Sequence, residues 1–179
     1  MKSSAVVFFL FLIPCVADAQ FSFGVKGGVN ITELGYEFGQ SGYDRQIRPG
    51  FHIGLITKLK VLDKLFFSPE LLFVYRGKFD FSINKTDYNY IDLPILMSYC
   101  PNDAFEFQAG INFATKLTPD LLFNYYFMSW SGGVIGNLTK KFFIGGRFQY
   151  DITDAAGSLN SVRINGLSGF LSFGYRLKE

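Results

Sequence analysis

The chain has 179 residues, 49% hydrophobic and 18% aromatic, with 22 Phe, 10 Tyr and 19 Gly. Seventeen basic residues against fifteen acidic leave a formal charge of +2, too little to suggest nucleic acid as a partner. The apolar content excludes disorder, two cysteines exclude a disulfide-stapled scaffold, and no apolar run beyond the N-terminus is long enough for a helical span of the mature chain.

Met1-Lys2 gives a positive start, Ala5 to Val16 an apolar stretch, and Ala17-Asp18-Ala19 small residues at the two positions a signal peptidase reads. Together they predict a cleaved secretory signal over residues 1–19, with 20–179 as a single domain. The twelve apolar residues would rise about 18 Å, short of a bilayer core of about 30 Å, so the stretch is not an anchor. Pro14 stands where a lipobox carries a small residue, which argues against lipidation at Cys15. Cleavage leaves Cys100 alone, and no intramolecular disulfide is expected.

From Phe21 the residues alternate. Phe21, Phe23, Val25, Val29 and Ile31 share one face, and Ser22, Lys26 and Asn30 the other, the signature of a strand. Thr32 to Arg48 is polar and aperiodic and reads as a long loop. A second strand from Gly50 sets Phe51, Ile53, Leu55 and Leu59 against His52, Gly54, Lys58 and Lys60. After a short connection at Val61–Lys64, the third, Leu65 to about Tyr75, sets Leu65, Phe67, Leu71 and Phe73 against Ser68, Glu70 and Arg76. Leu72 and Val74 are exceptions on the polar face. Gly77 to Asp87 reads as loop.

The fourth strand opposes Ile91, Leu93, Ile95, Met97 and Tyr99 to Asp92, Pro94, Leu96 and Ser98, and turns at Cys100–Ala104. The fifth alternates Phe105, Phe107, Ala109, Ile111 and Phe113 with Glu106, Gln108, Gly110, Asn112 and Ala114. A break at Thr118–Asp120 precedes the sixth, within Tyr125 to Gly136, with Met128, Trp130 and Val134 on its apolar face. Asn137–Lys141 is a short turn. The seventh opposes Phe142, Ile144, Phe148, Tyr150 and Ile152 to Gly145, Arg147, Gln149 and Asp151. After a loop over Asp154–Arg163, the last opposes Leu167, Leu171, Phe173, Tyr175 and Leu177 to Ser168, Ser172, Gly174 and Arg176.

Eight strands of about ten residues match the length a tilted transmembrane strand needs. Links 2–3, 4–5 and 6–7 are short. Links 1–2, 3–4 and 7–8 are longer, and link 5–6 breaks the pattern by being short. Alternating short turns and long loops belong to outer-membrane barrels, and an even strand count puts both ends on the periplasmic side. The expected fold is all-β: a closed, antiparallel, eight-stranded transmembrane barrel with up-and-down meander topology. A soluble barrel of the lipocalin kind is apolar inside, whereas a membrane barrel is apolar outside. The apolar face here is too bulky to enclose a ligand cavity. The charges opposite are sparse and mixed in sign, unlike a solvated surface. Tyr75, Tyr99, Trp130, Tyr150 and Tyr175 sit near strand ends, as aromatic girdles do.

Four runs carry a family resemblance: Gly24-Val25-Lys26-Gly27-Gly28-Val29-Asn30, Phe67-Ser68-Pro69-Glu70-Leu71-Leu72, Tyr90-Ile91-Asp92-Leu93-Pro94-Ile95-Leu96 and Gly145-Gly146-Arg147-Phe148. Across essentially the whole mature chain the sequence resembles the PorT-like outer-membrane β-barrel proteins of the Bacteroidetes lineage. The resemblance implies a small outer-membrane barrel, and its named member is linked to a protein secretion system. The chain departs from the usual barrel-assembly signal by ending in Leu177-Lys178-Glu179 instead of an aromatic residue.

Candidate chemistry is sparse. Glu70 and Asp92 should point inward on neighbouring strands and form a lumen charge network with Lys26, Lys58 and Arg147. Such a network fills and rigidifies a narrow barrel, since buried charges must be paired; a gated ion path is the alternative. His52, the only histidine, should lie inward near the outer rim. A lipid-modifying enzyme would use such a histidine beside Ser and a carboxylate, but no local triad is visible. One His and one mature Cys cannot furnish a metal site, Gly24–Gly28 lacks the spacing of a phosphate loop, and no cofactor is expected. Tyr36, Phe38, Tyr43, Asp44 and Arg45 place aromatic and charged groups in the first long loop. The expectation is a non-enzymatic barrel embedded in outer-membrane lipid, with a structural or interaction role through its extracellular loops or as an accessory to a secretion or envelope complex. A narrow porin-like channel stands second and a lipid-modifying enzyme third, with a soluble lipid binder as the alternative from another class.

Overall fold

A computed structural model describes residues 21–38, 42–81, 84–117, 126–152 and 162–178; the signal segment 1–19 lies outside them. Eight strands follow in chain order: β1 (Phe21–Phe38), β2 (Gly42–Leu62), β3 (Leu65–Phe81), β4 (Asn84–Tyr99), β5 (Phe105–Lys116), β6 (Tyr126–Asn137), β7 (Phe142–Asp151) and β8 (Val162–Lys178). Each pairs antiparallel with its neighbours, and β8 pairs with β1 to close the barrel. Closure leaves no strand edge, the condition for placing a sheet in lipid.

The ladder winds as it circles. From Phe23 it runs to Thr57, which hydrogen-bonds the Pro69 carbonyl, then through Ile95, Ile111, Trp130, Tyr150 and Leu167 to Glu33. Position 33 lies ten residues beyond position 23, where the circuit began. The strands are therefore tilted, and residues at one depth in the lumen come from staggered positions on successive strands.

Alternation sorts the side chains as the period predicts. Phe51, Ile53 and Leu55 are 49%, 59% and 53% exposed on the outer wall, whereas His52 between them is 2% exposed in the lumen. The same division holds on β6, where Trp130 and Val134 face out and Ser129, Ser131 and Ile135 face in. The barrel thus presents Leu, Ile and Phe outward, a polarity that suits lipid. Two aromatic belts bound the apolar wall. Tyr99, Phe105, Phe142 and Tyr175 lie toward the short turns, with the Phe142 and Tyr175 rings 4.9 Å apart. Phe51, Tyr75, Trp130 and Tyr150 lie toward the other end, with Phe51 5.3 Å from Tyr75 and Trp130 opposite Tyr150 in register.

Four expectations need correction. The segment Thr32–Arg48 is not a loop: β1 continues to Phe38, β2 begins at Gly42, and the two remain paired throughout. Likewise Gly77–Asp87 is largely strand, interrupted by a register shift between Tyr75 and Lys78 where Gly77 takes a φ of 83°. Backbone pairing needs no apolar face once strands leave the lipid, so periodicity ends before the strands do. The link between β5 and β6, expected to be short, spans residues 117–125. Finally, His52 lies midway along β2 and not at a rim, because that strand extends ten residues beyond it to Gly42. Leu72 and Val74, the apolar exceptions of β3, are indeed inside, 1% and 0% exposed. With Leu96, Ala114 and Phe170 they give the lumen apolar packing between its charges.

Candidate functional site in the barrel lumen

The inward face carries the polar chemistry. Toward the short turns, Lys58 Nζ donates to Glu106 Oε2 at 2.7 Å and to Cys100 Sγ at 3.2 Å. Gln108 Nε2 donates to Glu106 Oε1 at 2.9 Å and to Ser98 Oγ at 3.2 Å. Arg176 lies 3.6 Å from Glu106 and donates to Asn137 Oδ1 at 2.9 Å. One step deeper, Glu70 accepts from Lys26 Nζ at 2.6 Å and from both arms of Arg147, at 2.7 and 2.6 Å. Arg147 also donates to Gln108 Oε1 at 2.8 Å, which joins the two groups. A two-pronged Arg–carboxylate pair is the strongest form of charge-assisted hydrogen bond.

Glycines flank the first of these cations in chain order. Lys26 stands between Gly54 on β2 and Gly174 on β8. A Cβ on Gly54 would collide with the Leu71 carbonyl oxygen, and one on Gly174 with the Phe143 ring. The register neighbours of Lys26 are thus held small by β3 on one side and by the Phe143 ring on the other.

The loop-side half is built differently. Arg76 Nη2 pairs with Asp92 Oδ2 at 3.2 Å, and Asn112 Nδ2 donates to the same oxygen at 3.0 Å. The Arg76 guanidinium lies 4.8 Å from the Tyr90 ring centre and 4.7 Å from that of Phe127, a cation–π arrangement. Ser129 donates to Asp151 at 2.7 Å. His52 Nε2 meets Ser172 Oγ at 2.8 Å, and its ring packs edge-on against Phe170, 5.3 Å away.

Of the five residues expected to form one network, Lys26, Glu70 and Arg147 meet directly. Lys58 joins them through Glu106 and Gln108. Asp92 does not join: its register partner on β3 is the buried Leu72, and its cation is Arg76. Glu106, Gln108, Arg76 and Asn112 were not foreseen as members. All sit on inward positions of their strands, but their pairing follows from the stagger of the barrel, which spacing along the chain does not encode. His52 and Ser172 form a hydrogen-bonded pair, with no carboxylate on His52 Nδ1 among the described residues. No group of three or more His, Cys, Asp or Glu able to hold a metal gathers among the described residues. A cavity of about 20 Å³ lies in the turn-side half, bordered by Lys26, Lys58, Glu70, Glu106 and Arg176; that is room for a small occupant, a water or slightly larger.

Residues 16–119 match the protein family described as outer membrane protein beta-barrel domain. Among solved structures, the chain is similar to Ail, the attachment invasion locus protein of Yersinia pestis, in complex with the heparin analogue sucrose octasulfate. The TM-score is 0.56 at 12% identity, covering 88% of this chain and 99% of that one. It is also similar to the outer membrane protein AlkL, determined by solid-state NMR in DMPC lipid bilayers, with a TM-score of 0.54 at 15% identity over 89% and 92% of the two chains. At such identities the likeness is one of fold. No curated protein matches the sequence.

Proposed function

Because this chain belongs to the outer membrane protein beta-barrel domain family, we propose that it is a non-enzymatic outer-membrane barrel whose lumen is a structural plug and whose partners are met at the loop-side hairpins. One observation carries the reading: Glu70 is bound by Lys26 from two strands away and by Arg147 from the opposite side of the ring, and Gln108 extends that contact to Glu106 and Lys58. Charges locked to one another across a lumen of this width fill it.

The second support is the length of the hairpins. β1 and β2, of 18 and 21 residues, run past the loop-side aromatic belt as a paired ribbon. A paired hairpin carried on a closed barrel suits recognition. Within the family we assign the chain to the PorT-like group on its Pro69-Glu70-Leu71-Leu72 and Ile91-Asp92-Leu93-Pro94 segments. We read residues 1–19 as its export signal, and an envelope or secretion-complex protein as the partner.

The test combines two measurements on the full chain expressed with its signal. A photo-crosslinking residue at Ile47, 67% exposed on the hairpin, should yield a discrete adduct in cells, and one at Leu55 on the lipid wall should not. In planar bilayers the purified barrel should show no steady current. A resolved single-channel conductance, with no adduct at Ile47, would replace this reading with the narrow channel.

A further inference from the structure

The turn-side half of the lumen holds more positive charge than it answers. Lys26, Lys58, Arg147 and Arg176 gather around Glu70 and Glu106, four cations to two carboxylates among the described residues. Both carboxylates are already engaged at each oxygen. Glu70 takes three charge-assisted bonds, and Glu106 is held by Lys58 and Gln108, with Arg176 behind them. The ammonium groups are not fully engaged. Each carries three N–H donors; Lys26 Nζ spends one on Glu70, and Lys58 Nζ spends two, on Glu106 and the Cys100 sulfur. Burial pushes the Cys100 thiol above its ordinary range, so it stays neutral and supplies no counter-charge.

These spare donors border the same space. Lys26, Lys58 and Arg176 all line the cavity of about 20 Å³, together with Ser68 and the two carboxylates. Its size admits a small occupant, a little larger than a single water. Water would answer the donors but not the charge, and unbalanced charge inside a barrel wall is costly. Lys58, with its side chain 19% exposed, marks the way in from the turn side.

We infer that the turn-side cavity is a binding site for one small monovalent anion of the size of chloride, held by Lys26, Lys58 and Arg176. The anion lowers the positive excess of this half of the lumen and accepts from the donors that Glu70 and Glu106 leave unused. It binds the closed barrel and not the opened chain, so it stabilises by mass action.

The full-length barrel, purified in detergent, is heated in sodium chloride and in sodium gluconate of equal ionic strength, and folded and unfolded forms are separated on a gel. Chloride should raise the midpoint and lengthen the unfolding half-time by up to about tenfold, at a concentration about ten times its dissociation constant. The double variant Lys26→Met, Arg176→Gln keeps the Glu70–Arg147 and Glu106–Lys58 pairs but removes the excess, and should unfold alike in both salts. Should that variant fail to fold, bromide soaked into crystals of the unaltered barrel gives the answer by anomalous scattering, with a peak expected between Lys26, Lys58 and Arg176. Equal half-times in the two salts for the unaltered barrel overturn the site, as do a chloride effect that survives the double substitution and a bromide map with no peak in the cavity.

Discussion

The two halves of the lumen are lined by the same residue types and bonded in different ways. On the turn side every carboxylate oxygen of Glu70 and Glu106 has a partner, and Gln108 uses both ends of its amide. On the loop side, Asp92 Oδ1, Asn112 Oδ1, Ser131 Oγ and both amide atoms of Gln149 have no hydrogen-bond partner among the described residues. The turn-side half is one connected network, and the loop-side half a set of smaller, separate groups. Cooperative networks cost most when one member is removed, because each remaining group keeps its desolvation and loses its compensation.

Three substitutions sharpen that contrast. The largest effect belongs to Glu70→Ala, which leaves Lys26 and Arg147 buried without a carboxylate; about 3–5 kcal/mol of stability should be lost. The check is the urea midpoint of the heat-resistant gel form, and a loss near zero would mean the network is not what holds the turn-side half. Gln108→Leu comes next. It deprives Arg147 of one acceptor and Glu106 of one donor, at about 1–3 kcal/mol, measured as the same shift in urea midpoint. Smallest is Gln149→Leu, a change of the same kind in the same lumen. Because its amide has no partner among the described residues, the leucine should be neutral, or stabilising by about 1 kcal/mol. Equal losses at positions 108 and 149 would erase the distinction between the halves. The salt comparison and the Ile47 crosslink test the contrast from outside, the first at the turn-side cavity and the second beyond the loop-side rim.

Much of the fold is legible in the sequence because lipid enforces alternation. Phe105, Phe107 and Phe113 against Glu106, Gln108 and Asn112 fix both the strand and its inward face. Even the breaks in the pattern were informative: Leu72 and Val74 sit on the polar face because the lumen needs apolar packing there. Legibility stops where the lipid does. From Thr32 to Arg48 no face need be apolar, so a paired ribbon reads as loop. The site was legible in composition but not in pairing. Lys26, Glu70 and Arg147 are brought together over separations of 44 and 77 residues by a stagger that no local spacing encodes. Adjacency of β3 and β4 groups Asp92 with Glu70 in the sequence, but Leu72 stands at its register position and its cation is Arg76.

The placement of Glu70 on β3 between partners on β1 and β7 also orders events in time. A chain that gains its strands in sequence brings Lys26 to Glu70 early, within the first three strands. It delivers the guanidinium of Arg147 only with the seventh, just before β8 seals against β1. Until then Glu70 has one partner in place of two. For such a chain the two-pronged contact forms late, and a barrel stalled before its seventh strand would carry an incompletely neutralised acid in its interior.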